Sequence, residues 1–287
     1  GVRRVANVTP EERRKINQAI PNTAPASPKK ARKLLVVDMN IGRAGHPSIS
    51  HANLAVKLMG ERTGAYEAVF GKDLSVFEAE NLRKYDAVYF NNTIGDLFPT
   101  HELRESFRKF LAEGGGMVAN HAVTVTATDW KEFGEILGAR GAAHRAAQER
   151  VTVKLDDPTN PLNAPFGGKS FEYTDEFFRF SAPYSREKLR VLMSIDVERT
   201  DMNQGEARGD CFRDDNDYAI AWVRSYSKGR VFYTVLGHNP YTFWDSRILE
   251  HLLAAIQFAL GDLDVDTTPS ALANPTGATT VKQGEMP

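Results

Sequence analysis

Cysteine is nearly absent from this 287-residue chain: Cys211 stands alone, so no disulfide framework and no thiolate cluster for zinc or an iron–sulfur centre can be built from it. A charge excess of either sign is missing too. With 36 basic against 37 acidic side chains, no positive field is available to hold a phosphate backbone or an anionic membrane, which argues against nucleic acid and membrane as partners. No apolar run approaches the length of a membrane span, and no charged start with an apolar stretch behind it marks an export signal. The chain opens at Gly1 with a polar, proline-bearing arm, the kind of spacer left when an export signal is cut, so the expectation is a periplasmic or other extracytoplasmic location.

What is present is an alternation. Residues 1–32 read as the arm, with one helix, TPEERRKINQAI, capped by Thr9 and opened by Pro10. KLLVVDM, YEAVF, DAVYFNN and MVAN are short runs of strand length, and helical stretches separate them, among them HANLAVKLMGER, HELRESFRKFLAEG and WKEFGEILGA. Strands that are apolar on both faces and alternate with helices predict an α/β fold: a doubly wound, mostly parallel sheet with helices on both sides. The second half is richer in strands, with ERVTVKL, FEYTDEFFRF, LRVLMSI, YAIAWVRSY and GRVFYTVL before a last helix, SRILEHLLAAIQFALG. No linker divides the halves, so residues 33–262 read as one domain, and residues 263–287 as a tail or surface strap.

Ligands of such a sheet collect beyond the carboxyl ends of the strands. The polar residues there are Asn40 and His46, Asn91 and Asn92, Asn120 and His121, and His238 with Asn239. Imidazole titrates near neutrality and serves as base or as metal ligand, although each histidine alone could simply bond a loop carbonyl. His51, His101 and His251 fall on expected helix surfaces, and His144 in an exposed connection. Asp175 and Glu176 sit among aromatic residues and need partners; within one strand they point to opposite faces, so at most one enters a given site. The acidic stretch ARGDCFRDDND lacks the spacing of a calcium loop, and Gly114–Gly116 precede a strand rather than follow one, so no nucleotide cofactor is expected.

AGHPSIS, GGGMVANHA, DWKEFGEILGARGAAH, YTDEFFRF and KGRVFYTVLGHN, in this order, resemble the ThuA-like (trehalose utilisation) family over roughly residues 33–262. The resemblance implies the class I glutamine amidotransferase-like, flavodoxin-like fold and a link to the use of trehalose and related or oxidised glycosides. It also implies a polar set of His46, His121, His144, Asp175, Glu176 and His238. Where amidotransferases carry a nucleophilic cysteine on a strand-to-helix elbow, this sequence reads ANHAV, and Cys211 is remote from it.

The resulting expectation is an enzyme acting on a sugar, with His121, His238 and Glu176 in catalysis. His46, His121, His144 and His238 are the candidate ligands for a divalent metal, for which zinc, manganese and iron are equally suited. Asn120, Asn239, Tyr241, Trp244 and Asp175 would then meet the substrate, the aromatic pair as an apolar wall. The rival expectation is a module that binds a sugar in the same crevice without turning it over.

Overall fold

The computed structural model describes residues 5–273. In the first half, β1 (Lys33–Val37), β2 (Glu67–Gly71), β3 (Ala87–Asn91) and β4 (Gly116–Asn120) run parallel. The second half supplies β5 (Arg140–His144), β6 (Glu149–Leu155), β7 (Phe171–Asp175), β8 (Phe178–Ser181), β9 (Arg190–Ile195), β10 (Ala219–Tyr226) and β11 (Gly229–Thr234). They complete a nine-stranded mixed sheet in the order β2-β1-β3-β4-β11-β10-β9-β6-β7. β11 lies parallel to β4 and prolongs the parallel core, whereas the strands beyond it pair antiparallel. β5 and β8 form a separate antiparallel ribbon.

The α-helices are α1 (Pro10–Ala19), α2 (Ile49–Thr63), α3 (Ala79–Leu82), α4 (His101–Ala112), α5 (Lys131–Leu137), α6 (Ser246–Leu260) and α7 (Ser270–Ala273). Strand side chains alternate between the two faces of the sheet, and β3 shows which helices cover each. Phe90 meets Phe107 of α4 and Phe133 of α5, with ring centroids 5.6 and 5.8 Å away. The next residue, Asn91, turns to the other face and donates to Ile49 O of α2. α6 shares that second face, where His251 packs on Phe232 of β11. Burying each such aromatic ring contributes about 1.5–3 kcal/mol, and β3 is buried along its whole length. The glycine triplet serves this packing: Gly114 has a φ of +100°, and a Cβ on Gly116 would fall 2.0 Å from Ala259 O at the end of α6.

Three expectations are corrected. FEYTDEFFRF is two strands in two different sheets, broken after Asp175, because β7 stays on β6 while β8 turns to pair with β5. RGAAH, expected as an exposed connection, is β5. His51 and His251 are buried, not on helix surfaces. His51 is covered by the arm, whose Glu12 comes within 3.1 Å of its Nε2. His251 sits between Phe166 and Phe232 and donates from Nδ1 to Leu162 O at 2.6 Å.

From residue 5 onward the arm is held along its length. Thr9 and Glu12 form a capping box on α1, and Ile16 and Ile20 enter the core. Beyond it, Ala26 exchanges two hydrogen bonds with the Gln257 side chain, and Asp262 accepts from Lys29 N and Arg32. On the C-terminal side, Ser270 binds Leu189 and Val191 through backbone and hydroxyl; residues 274–287 lie outside the described residues.

Burial lowers the pKa of His251 to about 4, its bond to Leu162 O offsetting only part of the effect. Between that value and the ordinary one near 6.5, the unfolded chain binds a proton that the folded chain refuses. The contribution is therefore complete above about pH 6.5 and lost as pH falls through about 4, an effect on the order of 3 kcal/mol. His251→Leu is expected to be less stable at pH 7 but to lose less stability between pH 7 and pH 4.5 than the native chain. Urea midpoints at the two pH values measure this, and parallel losses would contradict it.

Candidate metal centre

β4 delivers its last residue, Asn120, to the carboxyl edge of the sheet, and the chain then turns sharply. His121 takes a φ of +49°, a left-handed conformation costly for a residue with a Cβ, and opens a single 3-10 turn at His121–Val125. Several bonds hold the turn. Tyr233 Oη donates to His121 O at 2.7 Å, Ala122 N donates to Asn92 Oδ1, and Asn92 N donates to Asn120 Oδ1. His121 Nδ1 lies 2.8 Å from Val235 O, which can only accept. Nδ1 therefore carries the proton, and Nε2 presents a lone pair.

That lone pair is fully buried, without a hydrogen-bond partner, and faces Glu176 Oε2 at 3.2 Å. Two electron-rich atoms at this distance need positive charge between them, either a proton or a cation. Three further imidazoles surround the same carboxylate. His144 Nδ1 and His238 Nε2 stand 3.3 and 3.7 Å from Glu176 Oε1, and the His46 ring lies edge-on to His121 and His238 with centroids at 4.8 and 5.3 Å. Burial alone would raise the pKa of Glu176, but when the imidazoles are protonated the contact with His121 and the fields of His121, His238 and His144 outweigh it and hold the group at about 2; a cation would take the place of the proton on His121 Nε2. One donor atom from each of His46, His121, Glu176 and His238 falls within 4.8 Å of the others.

The loop after β11 brings in His238, and Asp175 fixes that loop. Its buried carboxylate accepts from Gly237 N at 2.9 Å, Asn239 N at 3.2 Å, Asn239 Nδ2 at 2.8 Å, Thr242 Oγ1 at 3.3 Å and Glu176 N at 2.9 Å. Desolvation raises the pKa of Asp175, opposed by the field of His121 and by these backbone donors. From the other side, Gly237 O accepts from Ser48 Oγ at 2.5 Å and Asn92 Nδ2 at 3.2 Å. Gly237 itself has a φ of +126°, and a Cβ there would come within 2.5 Å of Asn120 Nδ2.

The structure thus brings His46, His121, Glu176 and His238 together, with His144 beside them. His144 differs from the four, because its Nδ1 also lies 2.6 Å from Arg145 O. Most of the residues expected to meet substrate are engaged by other protein groups. Asp175 and Asn239 bond each other, and Asn239 is further engaged by Ala147 O and Gln148 Nε2, so neither has capacity left for a sugar. Tyr241 donates to Thr174 O. Trp244 lies against His51, with Lys15 of the arm 5.5 Å over its ring, and so forms the seat of α1 rather than a wall of the cluster. Asn120 stays at the site, its Nδ2 buried and without a partner. Val235 O, Ser48 and Gln148 were not found from the sequence as site residues; a carbonyl has no side-chain signature, and the serine that reads as the cap of α2 is Ser50, which lies inside the helix, past the true cap Ser48.

A family model described as trehalose utilisation, ThuA, matches residues 33–259. Among solved structures, a ThuA-like protein from Bacteroides uniformis is 21% identical, with 86% of this chain and 98% of that one covered at a TM-score of 0.66. A ThuA-like protein from Parabacteroides merdae is 19% identical, with 83% and 93% covered at a TM-score of 0.60. A search of curated proteins gives no significant match.

Asp175→Asn keeps the side chain's volume but sets an NH2 group against N–H donors. It is expected to destabilise the protein by about 2–4 kcal/mol, since buried donors lose their acceptor. A urea midpoint equal to that of the native chain would refute this role for Asp175.

Proposed function

The chain belongs to the ThuA (trehalose utilisation) family, and we propose that it is a carbohydrate-active enzyme in which His46, His121, Glu176 and His238 hold a divalent cation. The observation that carries this reading is the bare, buried Nε2 of His121 facing a carboxylate inside a four-donor cluster. Donors about 2.1 Å from one ion stand at most about 4.2 Å apart. The spread of 4.8 Å is only slightly wider, so small side-chain rotations close the set. Three imidazoles and a carboxylate suit zinc, manganese or iron.

An ion held there would act as a Lewis acid on a sugar oxygen. The chain's own residues divide the remaining work. Val235 O orients the His121 ring, and Asp175 holds the loop of His238, so neither ligand has to be ordered when substrate arrives. His144 is the proton carrier. Arg145 O accepts from its Nδ1, which leaves the Nε2 lone pair as the base for a sugar hydroxyl or for a proton beside a carbonyl. Asn120 Nδ2 remains as a donor toward a substrate oxygen. A thiolate route has no sulfur at the elbow, since that position is His121 and the buried Cys211 lies outside the four-donor cluster.

Chelator-stripped protein titrated with Co2+ is expected to take up one equivalent and to develop ligand-field absorption. His121→Ala and His238→Ala should abolish it. His144→Gln should keep the ion but slow turnover of trehalose or its oxidised glycosides about 100-fold, the usual size of a lost general base. No Co2+ uptake by the native chain would overturn the metal assignment. Uptake with no turnover of any glycoside would leave a sugar-binding module instead of an enzyme.

A further inference from the structure

Among the described residues two arginines are buried, Arg145 and Arg179, and Arg140 is half-buried. Arg179 closes on Glu149 with both Nη atoms at 2.6 Å. Arg140 distributes its donors over the carbonyl oxygens of Thr124, Thr126, Ala127 and Trp130. Arg145 is only 6% exposed and has neither arrangement. Its Nη1 reaches Gly205 O at 3.3 Å, its Nη2 reaches Asn203 Oδ1 at 3.4 Å, and its Nε has no partner. Among the described residues no carboxylate forms an ion pair with it. Glu206, Asp210 and Asp214 of the neighbouring loop stay exposed to solvent. A permanent charge taken from water and left with two long bonds to neutral oxygens is short of an anion.

The surroundings suit a ligand. Phe212, an aromatic side chain 63% exposed, has the Arg145 guanidinium 5.5 Å from its ring. The loop that carries Asn203, Gly205 and Phe212 is tied to the end of β5 by a reciprocal pair of hydrogen bonds between His144 and Arg208, at 3.0 and 2.8 Å. His144 is in turn 3.3 Å from Glu176. Residues 144–148 therefore separate the two places, since Ala147 and Gln148 also hold Asn239 of the His238 loop.

We propose that Arg145 anchors a subsite for an anionic group, a carboxylate or a phosphate, on the sugar whose reacting end meets the His–Glu cluster. The Nε and Nη donors form the fork that takes two oxygens of such a group side by side, and the exposed Phe212 ring offers an apolar surface to the face of a sugar ring. The substrate is then, within the glycosides named above, an oxidised or phosphorylated one that carries an acidic group. This rests on the carbohydrate reading above.

Calorimetry on the full chain with D-glucuronate, D-glucose 6-phosphate and D-glucose, each with and without Co2+, tests it. One of the two charged sugars should bind at least about ten-fold more tightly than glucose. Which one wins tells carboxylate from phosphate. Arg145→Gln should erase that preference, a loss of roughly 10- to 100-fold in keeping with charge-assisted hydrogen bonds, while glucose affinity and Co2+ uptake persist. Arg145→Lys should restore part of it. Equal or undetectable affinity of the native chain for all three sugars overturns the proposal, as does a preference that survives in Arg145→Gln. A charged-sugar preference that depends on Arg145 in a protein without Co2+ uptake supports the subsite and removes the metal assignment; uptake without any preference does the reverse.

Discussion

The buried carboxylate of Asp175 is the constraint on which the site depends. It stands at the end of β7, on the far edge of the nine-stranded sheet, yet accepts hydrogen bonds from the loop that follows β11 near the middle. One side chain therefore ties the antiparallel extension to the parallel core at the rim where the histidines gather. Because the chain breaks from β7 immediately after it, the adjacent Glu176 leaves the strand and enters the cluster. Two neighbouring carboxylates thus acquire unlike tasks from their surroundings. Asp175 is met mainly by backbone and amide N–H groups and keeps a raised pKa, whereas Glu176 is met by imidazoles and has a depressed one.

The parallel core was legible because each of its strands is a continuous apolar run ended by a helix signal, as in KLLVVDM or DAVYFNN. The ends of those runs were informative for the same reason: a strand buried on both faces can show polar residues only where it leaves the sheet, which is where His121 and His238 appear. FEYTDEFFRF hid its break. Aromatic residues on both sides of Asp175 and Glu176 look like one strand, and nothing local shows that the second half pairs with β5, some 35 residues earlier in the sequence. The protein contacts of Asn239, Tyr241 and Trp244 were hidden by the same locality. A polar or aromatic residue beside a histidine reads as part of its site, but what it touches is decided by Gln148, Thr174 and His51, which arrive from other segments.

His121 owes its position to the strained turn after β4. The left-handed φ and the bond from Tyr233 to its carbonyl point the side chain of the first residue after β4 into the crevice. Asn92 Oδ1 takes up the N–H of the next residue, Ala122, at 3.4 Å. In an acyl-transfer elbow that N–H would be available to a developing oxyanion. Here the first side chain after the strand is an imidazole and the following N–H is already met by an amide oxygen, so the turn offers neither a nucleophile nor a free donor for an oxyanion.

The arm adds a condition that the family match does not contain. The matched region begins at residue 33, yet both loops that flank the cluster are packed against residues that precede it. Gly45, beside His46, has room for no Cβ, because one would fall 2.9 Å from a methyl of Val5, and Ala6 N donates to Pro47 O. At the other loop, Lys15 lies over Trp244, and Glu12 reaches His51. Bringing His46 and His238 to the cluster of Glu176 requires both loops to be fixed, and the sheet fixes only the points where they begin. The arm carries that order outward from the sheet, so the cluster owes part of its geometry to a segment with no chemistry of its own.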